Sequence, residues 1–134
     1  MDTFRVESVR IKAPFDEVFR YVAGPQNLPE WTHAFKSVEN GKALMATPAG
    51  QVEVSLKVNS SRGEGTIDWQ MRFPDGKEAT AYSRLVPESS ESCVYSFILL
   101  APPVPLAQLE GTLKQQGQIL REELIRLNQI LETA

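Results

Sequence analysis

The chain has 134 residues, 42% hydrophobic and 23% charged, with 14 basic against 17 acidic side chains. That is the length and composition of a single globular domain, residues 1–134, large enough to bury a core without a staple. A net charge of −3 with no basic run excludes nucleic acid as the main partner, because a phosphate binder needs clustered cations. The single cysteine, Cys93, excludes an internal disulfide.

Met1–Arg5 lacks a charged segment followed by an apolar core, so the expectation is a cytoplasmic protein without a secretory signal. Phe4 to Lys12 predicts a first strand whose apolar residues, Phe4, Val6, Val9 and Ile11, slip out of alternation. The slip suggests a bulge or burial on both faces. Pro14, followed by Asp16 and Glu17, marks a helix start, with Phe15, Val18, Phe19 and Val22 on its apolar face. Gly24-Pro25 ends it. Asn27 to Trp31 reads as a second short helix or a turn, capped by Asn27 and anchored by Trp31.

From Ala34 onward the pattern changes to strands joined by turns. Asn40-Gly41 is a two-residue hairpin signal, and Pro48-Ala49-Gly50 is a turn. Gln51 to Asn59 alternates with Val52, Val54, Leu56 and Val58 inward. Thr66 to Phe73 alternates with Ile67, Trp69, Met71 and Phe73 on one face. Lys77 to Val86 leaves its inner face open between Ala79, Ala81, Ser83 and Leu85 on one side and Tyr82 and Val86 on the other. Pro87 to Glu91 reads as a turn, and Ser92 to Leu100 as a last strand with Cys93, Tyr95, Phe97 and Leu99 on one face. After a rigid Ala101-Pro102-Pro103 connection, Pro105 to Glu132 predicts one long helix of roughly 40 Å. Leu106, Leu109, Leu113, Leu120, Leu124, Leu127 and Leu131 fall within an arc of about 60° on it. Gln116 and Gly117 break that stripe. The order of elements is that of an α+β protein with an antiparallel sheet.

The stretch Val9-Arg10-Ile11-Lys12-Ala13-Pro14-Phe15-Asp16-Glu17-Val18-Phe19 resembles the opening of the START-like, or SRPBCC, superfamily. Gly24-Pro25 through Pro29-Glu30-Trp31 resembles its second signature, and the long amphipathic C-terminal helix completes the likeness. The polyketide cyclase/dehydrase and lipid-transport branch is the nearest in pattern. The resemblance implies a helix-grip fold: a seven-stranded antiparallel sheet wrapped around the C-terminal helix, two short helices after the first strand, and an apolar cavity between sheet and helix. It also implies a range of activities, from lipid carriers and hormone binders to ring-closing aromatases, so it narrows the fold more than the function.

The expected function is therefore a binding protein for a hydrophobic or amphipathic small molecule, a lipid, polyketide-like or aromatic compound. The alternative is a polyketide cyclase/dehydrase-like enzyme using polar pocket groups such as His33 or Tyr82 for acid–base assistance. Candidate ligand-binding residues are Trp31, His33, Trp69, Met71, Tyr82, Tyr95, Phe97, Gln116, Gly117 and Leu120. Trp69, Met71, Tyr95 and Phe97 read equally as cavity wall or as packed core. His33 reads as a polar group at the cavity mouth or as a loop histidine. Gly117 reads as space for a ligand or as room for a bulky strand residue such as Trp69. No catalytic residue, cofactor or metal is expected. One histidine and one cysteine are too few for a structural zinc site, and no glycine loop of the phosphate-cradling kind is present. Arg121, Glu122, Glu123 and Arg126 read as a solvated helix face, with no inward carboxylate–arginine pair. No segment reads as membrane-spanning. A third option is a protein-binding or homodimerising patch at Ala101 to Pro105.

Overall fold

The computed structural model describes residues 3–47, 50–100 and 106–132, without the side chains at 47 and 106–113. The turn at Pro48-Ala49, the Ala101 to Pro105 patch, and the side chains of Leu106, Leu109 and Leu113 lie outside the described residues.

Strand β1 (Phe4–Ile11) leads into helix α1 (Phe15–Val22), a 3-10 turn at Pro25–Asn27 and the short helix α2 (Leu28–Trp31). Strands β2 (Phe35–Glu39), β3 (Lys42–Thr47), β4 (Gly50–Ser61), β5 (Thr66–Arg72), β6 (Glu78–Ser89) and β7 (Ser92–Leu100) follow, and helix α3 (Leu106–Glu132) closes the chain. The seven strands form one antiparallel sheet in the order β1-β7-β6-β5-β4-β3-β2. This is the α+β helix-grip architecture: helices at the ends of the sequence, hairpins between them.

Local sequence accounts for most of these elements. Asn40 and Gly41 both take positive φ, 52° and 76°, which the tight β2–β3 hairpin requires. Gly65 takes φ 75° where its carbonyl accepts the Leu85 N–H at 2.7 Å. A Cβ there would lie 2.0 Å from the Leu85 carbonyl oxygen, so only glycine fits. The β4–β5 turn is tied to α1 by an ion pair between Arg62 and Asp16.

Three expectations change, and one open alternative is decided. β1 has neither a bulge nor a shift: it pairs with β7 in unbroken register from Phe4↔Leu100 to Ile11↔Cys93. Its inner positions are Arg5, Glu7, Val9 and Ile11, and its outer ones include exposed Phe4 and Val6. The apparent slip was a change of which residues are apolar, not of which face they occupy. Asn27 does not cap α2 with its side chain; its amide donates back to the Tyr21 carbonyl at 2.9 Å. β6 continues through Pro87 to Ser89 with a register shift, so the turn is shorter than expected. Finally, β6 turns Ser83 and Leu85 inward as buried residues and leaves Tyr82 and Val86 exposed on the outer face.

The core lies between the sheet and the helices. Leu120, Leu124, Leu127 and Leu131 of α3 are buried against it, with Val18, Val22, Leu28 and Trp31 from α1 and α2. Charged residues on α3 do more than face solvent. The Glu123 carboxylate accepts the His33 backbone N–H at 2.7 Å, and the Arg126 guanidinium donates to the Glu30 carbonyl at 2.6 Å. Together they clasp the end of α2 onto the long helix. Burial pushes the Glu123 carboxyl above the usual carboxylate range.

Candidate functional site

The inner face of the sheet changes character along its strands. At the end beneath α1 and α2, Ile11, Cys93, Tyr95, Leu85, Ile67 and Trp69 are all buried. Toward the other end, Arg5, Phe97, Leu99, Met71 and Phe73 are only partly buried. The register brings these together: Leu99 lies across from Arg5, and Phe97 across from Glu7 and Ser83. An apolar surface thus runs out from the closed core beneath the Gln116–Gly117 segment of α3.

The closed end is an aromatic plug. Trp31 lies 6.3 Å from Trp69 and 6.5 Å, edge-on, from Tyr95. Trp69 stacks on Phe97 at 6.0 Å, and Phe97 meets Tyr95 edge-on at 6.5 Å. Such offset and edge-to-face contacts are the favoured aromatic geometries. The Tyr95 hydroxyl donates to Ser83 Oγ at 2.9 Å, and Ser83 donates to the Ile67 carbonyl at 2.5 Å, so this buried polar pair is satisfied internally. Burial raises the Tyr95 pKa and keeps the phenol neutral. The indole N–H groups of Trp31 and Trp69, in contrast, have no acceptor among the described residues. A buried donor left without a partner costs about 1–3 kcal/mol and calls for a water or a ligand atom.

The open end carries charge that alternation from Phe4 and Val6 had hidden. Glu7, its side chain only 10% exposed, accepts from Arg5 Nη2 at 3.0 Å and from Arg121 Nε and Nη2 at 3.3 Å each. This inward carboxylate with two arginines corrects the expectation that no such pair exists and that Arg121 is simply solvated. Gly117 is explained by the same cluster. A Cβ at 117 would lie 2.7 Å from Arg5 Nε and 2.8 Å from Cζ. The Arg5 guanidinium, not a tryptophan, lies at the break in the leucine stripe. Glycine within a helix costs about 1 kcal/mol relative to alanine, and here it admits a charged side chain between α3 and β1. The signal was present in the sequence: taking Val9 and Ile11 as the inner set places Arg5 and Glu7 inward at period two.

The remaining candidates fall elsewhere. The His33 side chain is 61% exposed, with Nε2 3.8 Å from Glu122. Tyr82, 41% exposed, lies on the outer face opposite Ile98, away from the aromatic plug, so its hydroxyl is not turned inward. With Phe4, Val6, Ile98 and Leu100 it forms an exposed apolar patch across β1, β7 and β6. Gln116 is partly buried beside Gly117. Two surface depressions form among the described residues. One of about 230 Å³ crosses β4 to β6 among Lys57, Met71, Arg72 and Glu78. Another of about 500 Å³ lies beside α1 among Phe19, Arg20, Gly24 and Arg62.

Among the described residues no group of three or more His, Cys, Asp or Glu side chains is placed to hold a metal ion. No helix among them is long and apolar enough to cross a membrane. Cys93 is fully buried, its Sγ near the carbonyls of Ile11 and Ala13 at 3.9 and 3.7 Å. Burial, with a smaller push from the Glu88 carboxylate, raises its thiol to about 11. A thiol reagent at pH 8 is therefore expected to leave the native protein unlabelled and to modify Cys93 fully in denaturant. Rapid labelling of the native state would contradict the burial.

No family model matches the chain, and no curated protein sequence matches it. Solved structures do. The protein XoxI from Bacillus cereus superposes with a TM-score of 0.70 at 14% identity, over 97% of this chain and 96% of that one. A START superfamily protein from Mycobacterium smegmatis gives 0.69 at 13% identity, covering 97% of each chain. The di-domain ARO/CYC protein BexL from the BE-7585A biosynthetic pathway gives 0.72 at 18% identity, over 96% of this chain and 46% of that one. At such identities the likeness is one of backbone and not of site residues. The sheet order, the paired short helices and the long closing helix establish that this chain has the START-like, SRPBCC helix-grip fold.

Proposed function

We propose that the protein binds a hydrophobic or amphipathic small molecule on the inner face of the sheet, beneath the Gln116–Gly117 segment of α3. The observation that carries this reading is the run of partly buried apolar side chains, Phe97, Leu99, Met71 and Phe73, continuing outward from a fully buried aromatic plug. Apolar surface left open beside a packed core marks a place for another molecule. Trp69 and Phe97 form its floor, Gln116 and Leu120 border it from the helix, and the Trp69 indole N–H, without a partner among the described residues, supplies a donor for a ligand acceptor. The START-like and ARO/CYC structural neighbours are consistent with this reading.

The test is native mass spectrometry of protein freshly isolated from its own host, with titration by the neutral fluorophore N-phenyl-1-naphthylamine. A co-purifying mass, or fluorophore binding that raises the melting temperature, is the expected result. No adduct, no fluorescence gain and no thermal shift would end the proposal.

One observation favours a second reading, a polyketide cyclase/dehydrase-like enzyme. Arg5, Glu7 and Arg121 converge at the border of the same apolar face, and acid–base chemistry needs at least two polar groups placed together. Chemical change of a bound polyketide-like compound, abolished by Glu7→Gln, would support the enzyme; unchanged recovery of the compound would refute it.

A further inference from the structure

We infer that the ligand is an anionic amphiphile, with the Arg5 guanidinium binding its carboxylate. This rests on the small-molecule reading above and adds the charge of the ligand. Among the inner positions of β1, β4, β5, β6 and β7, only Arg5 and Glu7 are charged. Ser83 is occupied by Tyr95 and the Ile67 carbonyl. Arg5 is thus the one cation at an inner position of these strands.

Its cluster is unbalanced. Two guanidiniums share one carboxylate, which leaves a net positive charge at the border of the apolar face. Arg121 turns Nε and Nη2 to Glu7, and its side chain is 61% exposed. Arg5 gives Glu7 only Nη2, and its side chain is 29% exposed. A guanidinium carries five N–H donors in a planar fork. The rest of the Arg5 fork has no acceptor among the described residues, yet it is fixed in place. Glu7 holds it from the strand side, and the bare backbone of Gly117 receives it from the helix side. A pre-positioned fork of this kind binds a carboxylate in bidentate fashion with little ordering cost. Leu99, across from Arg5, and Phe97, two positions along β7, then offer a track for an apolar tail toward Trp69.

The experiment compares dodecanoate with dodecan-1-ol, each displacing N-phenyl-1-naphthylamine from the full chain. The wild-type protein should bind the acid at least about tenfold more tightly than the alcohol, the scale of one charge-assisted hydrogen-bonded pair. Arg5→Met should bring the ratio close to one. Gly117→Ala, whose Cβ drives the guanidinium from its seat, should lower the same ratio, and it keeps the test open if Arg5→Met fails to fold. Equal affinity of the wild type for acid and alcohol overturns the anionic inference and leaves the small-molecule reading standing. A ratio untouched by both substitutions overturns the role of Arg5. Binding of neither compound nor of the fluorophore overturns both readings together.

Discussion

Trp31→Ala is expected to lower the free energy of unfolding by about 3–5 kcal/mol, the cost of deleting a large aromatic side chain from a packed interior. Trp31 is 2% exposed and closes the core from the helix side, touching Trp69 and Tyr95. Its removal leaves a cavity between α2 and the sheet. The two anchor bonds of that helix, His33 N–H to Glu123 and Arg126 to the Glu30 carbonyl, would then hold a segment with little beneath it. Trp31→Phe supplies the contrast. It keeps most of the ring contact and discards an N–H that has no partner among the described residues, so the loss falls to about 1–2 kcal/mol. Urea unfolding followed by far-ultraviolet circular dichroism measures both. An alanine variant that loses less than about 1 kcal/mol would show that the core does not close around this ring.

Gly65→Ala is expected to cost about 2–4 kcal/mol, from left-handed backbone strain and a steric overlap that side-chain motion cannot relieve. The overlap is with the carbonyl oxygen of Leu85, a backbone atom of a central strand, and the same two residues share a hydrogen bond that fixes the β4–β5 turn against β6. Gly117→Ala makes the opposite case. The atoms met at 117 belong to the end of a flexible arginine, and alanine returns about 1 kcal/mol of helix propensity, so stability should change little while Arg5 moves. Gly63→Ala is the control, since nothing lies within 4 Å of a Cβ at that position. Equal stability of the Gly65 and Gly63 variants would refute the close approach of turn and strand.

The site was partly legible beforehand. Unbroken alternation in β5 and β7 puts Trp69, Met71 and Phe97 on the inner face. Tyr82 was ambiguous because β6 has small or polar residues at both sets of positions, and hydropathy cannot choose between them. Only pairing with Ile98 on one side of β7 decides that Tyr82 faces outward. Arg5 and Glu7 are hidden in the sequence for a related reason. A rule that sends charge outward fails where a carboxylate at an inner position is paired by two guanidiniums.

The C-terminal helix shows the same division. Its leucine spacing by itself determines a long amphipathic helix, and the hairpin signals determine the curved antiparallel sheet that receives it, because both depend on periodicities of the local backbone. The reason for Gly117 is not local. It depends on which strand lies against the helix and which of its residues points there, a matter of register between β1 and α3 that separates positions 5 and 117 by most of the chain. Tertiary packing alone decides that the interruption in the leucine stripe seats an arginine, because only in the folded chain does the desolvation of that charge meet the carboxylate of Glu7 that offsets it.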